Sequence, residues 1–285
     1  MLSILIPAYN INTTLLVKEL YNQIIECNIE FEILVYDDGS KSSINITNRE
    51  INLLKNCTFK ELPNNIGRSA IRNLLANDSK FENLLFIDAG TFPKKKSFIR
   101  DYISLKNKNV VHGGMTAMDE TPKPPFKLRW VYTKKRESKK GLHSCNFFVK
   151  KNILKKNPFD ETLKKYGYED VLFFNSLKKK NIPVYSIENP VIHNTDDDAN
   201  TFIRKNEDAI ENLVRLINDN KLEKDKVGIS KYYYQLKKIK LDRLLINVFK
   251  ILKPFLTRNF NSSYPSLLLY DFYRLGYFCL LKTKK

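Results

Sequence analysis

Through the first hundred residues, short aliphatic and β-branched runs alternate with helix-length stretches whose apolar residues recur every three or four positions. The runs predict strands near 2–6, 31–36, 58–62 and 83–87, and the stretches predict helices over 15–27 and 67–77. In the first helix the spacing puts Leu15, Leu16, Leu20, Ile24 and Ile25 on one face. This is the rhythm of βαβ units, an α/β fold with a mostly parallel sheet flanked by helices. From 110 to about 193 the pattern is mixed, with short strands near 110–112, 144–149 and 183–187 and a helix near 168–179. Within that section the basic stretch 122–140 carries Pro122, Pro124 and Pro125, which predicts a mobile loop over a site. After residue 200 strands stop and helices follow, the clearest over 201–218. The pattern divides the chain into an α/β domain over 1–200 and a helical C-terminal appendage over 201–285.

Composition narrows this picture. Of 285 residues 42% are apolar, and Gly and Pro together number 20, which excludes collagenous and low-complexity classes. Lys and Arg total 49 against 31 acids, a net charge of +18, and 221–285 alone holds 15 basic and 4 acidic residues. Such an excess calls for a polyanion, an anionic membrane surface or an acidic substrate. In the C-terminal region Leu244, Leu245, Val248, Phe249, Leu252 and Phe255 recur at helical spacing among Lys237, Lys238, Lys240, Arg243, Lys250 and Lys253. That pattern suits a solvated helical face, a nucleic-acid patch, or peripheral contact with an anionic membrane, and the last is the expectation. Nucleic acid is not expected as a partner, since no recognised helix-turn-helix, zinc-finger or RNA-binding signature is present. No apolar run approaches the roughly 20 residues of a bilayer span. Cys27, Cys57, Cys145 and Cys279 have neither disulfide-framework nor metal-ligand spacing, which suggests a cytoplasmic, reducing location. The N-terminus reads as a strand and not as a signal peptide.

Each predicted strand of the first half ends in a small or polar cluster: Ala8-Tyr9-Asn10, Asp37-Asp38-Gly39-Ser40 and Asp88-Ala89-Gly90-Thr91. Ligands of open α/β sheets bind beyond the carboxyl ends of the strands, so these clusters are expected to converge. The Asp37 and Asp38 carboxylates would accept from a base N–H or ribose hydroxyls; the other reading is a turn with Ser40 as the next helix's N-cap.

Taken in order, Pro7-Ala8-Tyr9-Asn10, Asp37-Asp38-Gly39-Ser40, the Asn65-x-Gly67-x-x-x-x-Arg72-Asn73 segment, the strand ending in Leu85-Phe86-Ile87-Asp88, the stretch from Phe159-Asp160-Glu161 to Tyr168-Glu169-Asp170, and His193 resemble the family 2 glycosyltransferases, nucleotide-sugar enzymes of the Rossmann-like GT-A fold. The resemblance covers about 1–195. It implies that Pro7, Ala8, Tyr9, Asn10, Asp37, Asp38 and Asp88 line a nucleotide pocket, one carboxylate accepting from the uracil of a UDP-sugar. Arg68 would lie near the ribose and diphosphate, and Arg72 in an ion pair beneath the site. Asp170 would be the base that takes the acceptor's proton in an inverting transfer, with Glu169 making acceptor or helix-cap contacts. A divalent cation, Mn2+ or Mg2+, is expected at Asp88 with His193, although Gly90 stands where the family usually has a second Asp. The alternative is that Arg129, Lys134, Lys135 or Arg136 neutralises the diphosphate without a metal. Gly113 and Gly114 would let backbone approach the donor sugar or form a plain turn. Asn146 is a candidate for sugar hydroxyls, and Trp130 for stacking on an acceptor sugar or for a core anchor.

The resulting expectation is transfer of a sugar from a UDP-sugar to a glycan or lipid-linked saccharide, in bacterial surface-polysaccharide assembly at the inner face of the cytoplasmic membrane. Two other classes stay open: a non-catalytic nucleotide-sugar or glycan-binding protein with a degenerate metal motif, and a basic nucleic-acid-binding protein.

Overall fold

The computed structural model describes residues 1–139, 141–194 and 197–283. Lys140 of the basic stretch, residues 195–196 and the last two residues of the C-terminal region lie outside the described residues. The chain forms two compact units. The first comprises Met1–Ala117, Glu137–Lys164 and Glu169–Asn194; the second comprises Met118–Arg136, Lys165–Tyr168 and Thr195–Lys285. The division is thus not a single cut near residue 200, because two internal segments cluster with the C-terminal helices.

In the first unit the strands are β1 (Leu2–Ala8), β2 (Phe31–Asp37), β3 (Cys57–Glu61), β4 (Asn83–Ile87), β5 (Thr91–Pro93), β6 (Val110–His112), β7 (Met115–Ala117), β8 (Asn146–Lys150), β9 (Tyr185–Ser186) and β10 (Val191–His193). Seven form one sheet in the order β3-β2-β1-β4-β8-β6-β9, and β5-β10-β7 form a small second sheet. Strands β1, β2, β3 and β4 run parallel, whereas β8 is antiparallel to both β4 and β6. The helices in chain order are α1 (Thr14–Ile25), α2 (Ile44–Asn48), α3 (Arg68–Asp78), α4 (Phe98–Ser104), α5 (Lys127–Tyr132), α6 (Lys151–Lys156), α7 (Glu169–Lys179), α8 (Ala199–Asn218), α9 (Gly228–Lys238), α10 (Asp242–Phe260) and α11 (Leu267–Thr283).

The central strands are apolar at almost every position because both sheet faces are covered. Successive side chains alternate faces, so Ile4, Ile6, Ile33 and Val35 meet Leu16, Val17, Leu20 and Ile24 of α1. Leu5, Leu34 and Phe86 point the other way, into a core shared with Ile71 and Leu75 of α3 and Phe173, Phe174 and Leu177 of α7. The buried face of α1 differs from the one predicted: Val17 belongs to it, while Leu15 is 74% exposed and Ile25 is exposed at the helix end. Adjacent apolar residues lie about 100° apart on a helix, so Leu15 and Leu16 cannot both face the same sheet.

The second unit corrects the predicted mobile loop. Its prolines precede α5, whose Leu128, Arg129 and Trp130 are buried, followed by one π-helical turn over Thr133–Glu137. Leu128 joins a core with Phe202 of α8, Phe249, Leu256 and Phe260 of α10, and Tyr270 and Tyr273 of α11. A helix anchored by such a core is a packed element, and the prolines mark where it starts.

Candidate active site

The parallel run of β1, β2 and β4 puts residues 8–10, 37–40 and 88–91 at one end of the sheet. One of these clusters, 37–40, is laced to the loop before α3. The Asp38 carboxylate accepts the backbone N–H groups of Ile66 at 2.7 Å and Gly67 at 3.0 Å. Burial pushes this carboxyl up from its ordinary range, against the pull of the two N–H groups. Gly39 has φ of +67°, and a Cβ there would lie 2.4 Å from the Asn64 carbonyl carbon, so the loops can close only over glycine. Asp37 accepts the Ser40 N–H at 2.8 Å. Ser40 is therefore the end of a tight turn and not an N-cap; α2 starts four residues later. Pro7 is half-buried, Tyr9 and Asn10 are exposed, and Asn10 sits at φ of 53°.

The same lacing sets Arg68 at the first position of α3. Its Nε donates to Glu169 Oε1 at 2.7 Å, and its Nη2 lies 3.3 Å from Asp88 Oδ2. One turn deeper, Arg72 is 1% exposed and donates from Nη2 to Asp88 Oδ1 at 2.6 Å. Arg72 and Asp88 thus form an ion pair with the guanidinium buried. Burial would raise the Asp88 carboxyl, but Arg72 and then Arg68 hold it below its ordinary value. Glu169 behaves alike: burial opposes ionisation, and Arg68 followed by Arg72 overrides it.

Asp170, at the start of α7, has the opposite balance. Burial first, then the neighbouring Glu169 charge, push its carboxyl up to about 6, while His143 pulls it down. His143 Nδ1 lies 3.9 Å from Asp170 Oδ2. The His143 backbone N–H donates to His112 Nε2 at 3.0 Å, and burial together with His143 lowers the His112 ring to about 4, so that ring is a neutral acceptor near pH 7. Neither histidine stands out in the sequence, because His112 ends β6 and His143 precedes β8, and their nearness follows from the β6–β8 pairing and not from spacing. Asn73 is similar. Its amide ties the Phe159 backbone on both sides, at 3.0 Å each, and donates to Glu161 at 2.8 Å, fixing the approach to α7.

Other expected contacts go elsewhere. Asn146 is fully buried; its Oδ1 accepts from the Tyr102 hydroxyl, and its Nδ2 donates to the carbonyls of Gly114 at 2.9 Å and Asn189 at 2.8 Å. That leaves no donor for a sugar hydroxyl. Gly113 is required by packing, since a Cβ would sit 2.1 Å from the Tyr102 hydroxyl, whereas Gly114 has φ of +81° in open space. In the second unit Trp130 is 8% exposed, donates its indole N–H to the Met118 carbonyl at 2.8 Å, and has Lys134 over its ring. It is an anchor there, not a stacking platform. Arg129 is buried over the Phe202 ring, and Arg136 pairs with Asp271 at 2.6 Å, while Lys135 is exposed.

His193 pairs with Thr91 in the β5–β10 register and lies near enough to Asp88 to lower its pKa. A divalent ion would need these groups plus further donors. Both Asp88 oxygens are already taken by guanidiniums, position 90 offers no carboxylate, and the described residues hold no cluster of three or more His, Cys, Asp or Glu able to ligate a metal. The arrangement does not fit an Asp-x-Asp metal site.

A Rossmann-like sheet with its polar clusters gathered at the strand ends, and a small second sheet beside them, defines the GT-A fold of nucleotide-sugar glycosyltransferases. Among solved structures, the mannosyltransferase PcManGT from Pyrobaculum calidifontis, in complex with GDP-Man and Mn2+, shares it with a TM-score of 0.54 at 14% identity, over 76% of this chain and 64% of that one. S. aureus TarS 1-349 matches over 99% of this chain and 91% of its own, with 18% identity and a TM-score of 0.47. Glucosyl-3-phosphoglycerate synthase from Mycobacterium tuberculosis, in complex with Mn2+, UDP and glucosyl-3-phosphoglycerate, matches over 68% and 71%, with 14% identity and a TM-score of 0.46. No family model matches the sequence, and no curated protein does.

Proposed function

We propose that the chain is an inverting glycosyltransferase that moves a sugar from a UDP-sugar to a hydroxyl of a glycan or lipid-linked saccharide. The observation that carries this reading is the geometry at the start of α7: Glu169 accepts from Arg68 Nε at 2.7 Å, while its neighbour Asp170, with His143 Nδ1 3.9 Å away, has its carboxyl pushed up to about 6 by burial and the Glu169 charge. A carboxylate poised near neutrality is what a general base for a sugar hydroxyl requires. Pro7, Tyr9, Asn10 and Asp37 form the nucleotide pocket in this reading, and Asp38 shapes it through the 64–67 loop. Arg68, partly exposed while it stays paired with Glu169 and Asp88, presents its open side to the departing diphosphate and offsets part of its charge. A nucleotide sugar as donor is also supported by the GDP-Man bound in the PcManGT complex. That complex holds Mn2+ too; on this chain the engagement of Asp88 by two arginines favours the metal-independent form of the reaction.

Surface-polysaccharide assembly in the bacterial cytoplasm, with peripheral membrane contact, belongs to the same reading. The free cysteines support the compartment. Gly90 supports a second reading, a nucleotide-sugar-binding protein without turnover. The separating experiment offers a panel of UDP- and GDP-sugars with saccharide acceptors and follows released nucleoside diphosphate and the anomeric configuration of the product by NMR. Turnover with inverted configuration supports the transferase; nucleotide binding without turnover across the panel supports the second reading.

A further inference from the structure

Helix α10 is apolar on two sides. One side is the core: Ile246, Phe249, Leu256 and Phe260 are buried, and the Phe249 ring lies so close to Gly276 of α11 that a Cβ there would meet it at 2.5 Å. The other side is exposed. Leu241, just before the helix, and Leu244, Val248, Ile251, Leu252 and Phe255 all face solvent, Ile251 at 70% and Phe255 at 69% exposure. At 3.6 residues per turn these six occupy one stripe about 100° wide, apart from the buried face. Six large apolar side chains along about four helical turns exceed the scattered exposure normal for a soluble surface. Beyond the helix, Tyr264 and Leu268 are exposed as well.

Charge identifies the occupant. Arg258 falls at one edge of the stripe, with Arg243 and Lys250 further round the same side, and all three are exposed. From 237 to 260 there are seven Lys or Arg and one acid, Asp242. Lys253, the remaining cation of the helix, is turned away from the stripe, 3.4 Å from Glu207 and over the Tyr273 ring. A second copy of the chain laid on the stripe would bring these cations against their equivalents, with Asp242 the one acid of the segment to compensate. An anionic bilayer surface satisfies both features: the stripe enters the acyl boundary while the long Lys and Arg side chains reach the lipid phosphates. No helix among the described residues is long and apolar enough to cross a membrane, so the contact lies in the plane of the interface.

We propose that the Leu244–Val248–Ile251–Phe255 face of α10, flanked by Arg243, Lys250 and Arg258, is a docking surface for an anionic lipid bilayer. The periodicity of the sequence includes Phe249 in the apolar face and omits Ile251; the fold exchanges them. This surface gives a place to the peripheral membrane contact of the proposed function, on which it rests, and its test needs no turnover.

The test is flotation of the full chain with vesicles of phosphatidylglycerol and phosphatidylcholine, against vesicles of phosphatidylcholine alone. Two further proteins are compared, Ile251→Glu/Phe255→Glu and Arg243→Gln/Lys250→Gln, each checked for an unchanged thermal melt. Because both pairs are exposed, folding is retained. The expected result is flotation with the anionic vesicles only, weakened by salt, and more than about tenfold lower partition for either variant. Absence of flotation with both vesicle types would overturn the proposal, as would a Glu variant that floats like the unaltered chain. Sedimentation velocity without lipid supplies the remaining arm: self-association abolished by Ile251→Glu/Phe255→Glu would assign the face to a second copy instead.

Discussion

The two units depart from ordinary globular chemistry in opposite ways. The first buries charge: Arg72, Asp88 and Glu169 lie inside or at the base of the strand-end cluster, each neutralised by a partner. The second exposes apolar surface along α10 while keeping its aromatic core of Phe202, Phe249, Phe260 and Tyr270 closed. Buried charge and exposed hydrophobic stripes are both uncommon, and both are informative because folding alone does not call for either. On the proposed reading, the first departure marks where a charged reactant is met and the second where a lipid surface is met.

Substitutions that break this contrast have graded effects. The largest falls on Asp170. Asp170→Asn keeps the shape of the α7 terminus and removes the proton acceptor, so kcat is expected to fall by about 10²- to 10⁴-fold with donor binding retained. Steady-state kinetics alongside calorimetric donor binding check this. Asp88→Ala strands the Arg72 guanidinium without its partner, and urea unfolding is expected to show a loss of about 3–5 kcal/mol. A loss below about 1 kcal/mol would mean that the buried charge is solvated in some other way. This variant is accordingly a poor probe of metal binding, because it damages the structure first.

Gly276→Ala acts in the other unit. A methyl 2.5 Å from the Phe249 ring forces α10 and α11 apart, and thermal unfolding is expected to report about 1–3 kcal/mol of destabilisation. Titration of Asp170 gives an effect of similar size. The base works ionised, and burial with the Glu169 charge has raised its pKa to about 6, so kcat/KM is expected to fall about tenfold per pH unit below 6 and to level off above it. The same shift has a stability consequence of definite sign. The folded carboxyl binds its proton more tightly than the unfolded one, so this group's contribution to stability declines as pH rises from about 4 to about 6. The smallest effect is expected for Ile251→Ser, under about 0.5 kcal/mol, since the side chain already faces water. A larger loss would show that the stripe is part of the core, and the contrast between the units would fail.

The strands of the first unit are legible in the sequence because buried parallel strands are nearly continuous apolar runs: the run 83–87 coincides with β4 to the residue, and 2–6 and 31–36 fall short only at their ends. The faces of helices are less so. Leu15 and Leu16 look alike in a sequence, and in α10 apolar residues surround most of the helix, so periodicity cannot tell core from surface without the partner helix. The basic stretch misleads because prolines that precede a helix such as α5 look the same in sequence as prolines within a loop. At the site, Asp170 and Arg68 lie in recognisable segments, whereas the double hold of Arg68 and Arg72 on Asp88 joins positions 20 and 16 residues apart through the β4 to α3 geometry. Asn146 looks available because its sequence neighbours say nothing of Tyr102, Gly114 and Asn189, which consume its amide.

The proposed function requires a site for a nucleoside diphosphate at the ends of β1, β2 and β4, its charge met by Arg68 and not by a metal. Isothermal calorimetry of the full chain with UDP, with GDP and ADP as controls and with and without Mn2+, tests it directly. UDP-selective binding, indifferent to Mn2+ and weakened by Arg68→Gln, is the expected result. Binding that appears only with Mn2+ would contradict the role given to Arg68, and failure of all three nucleotides to bind would contradict the site itself.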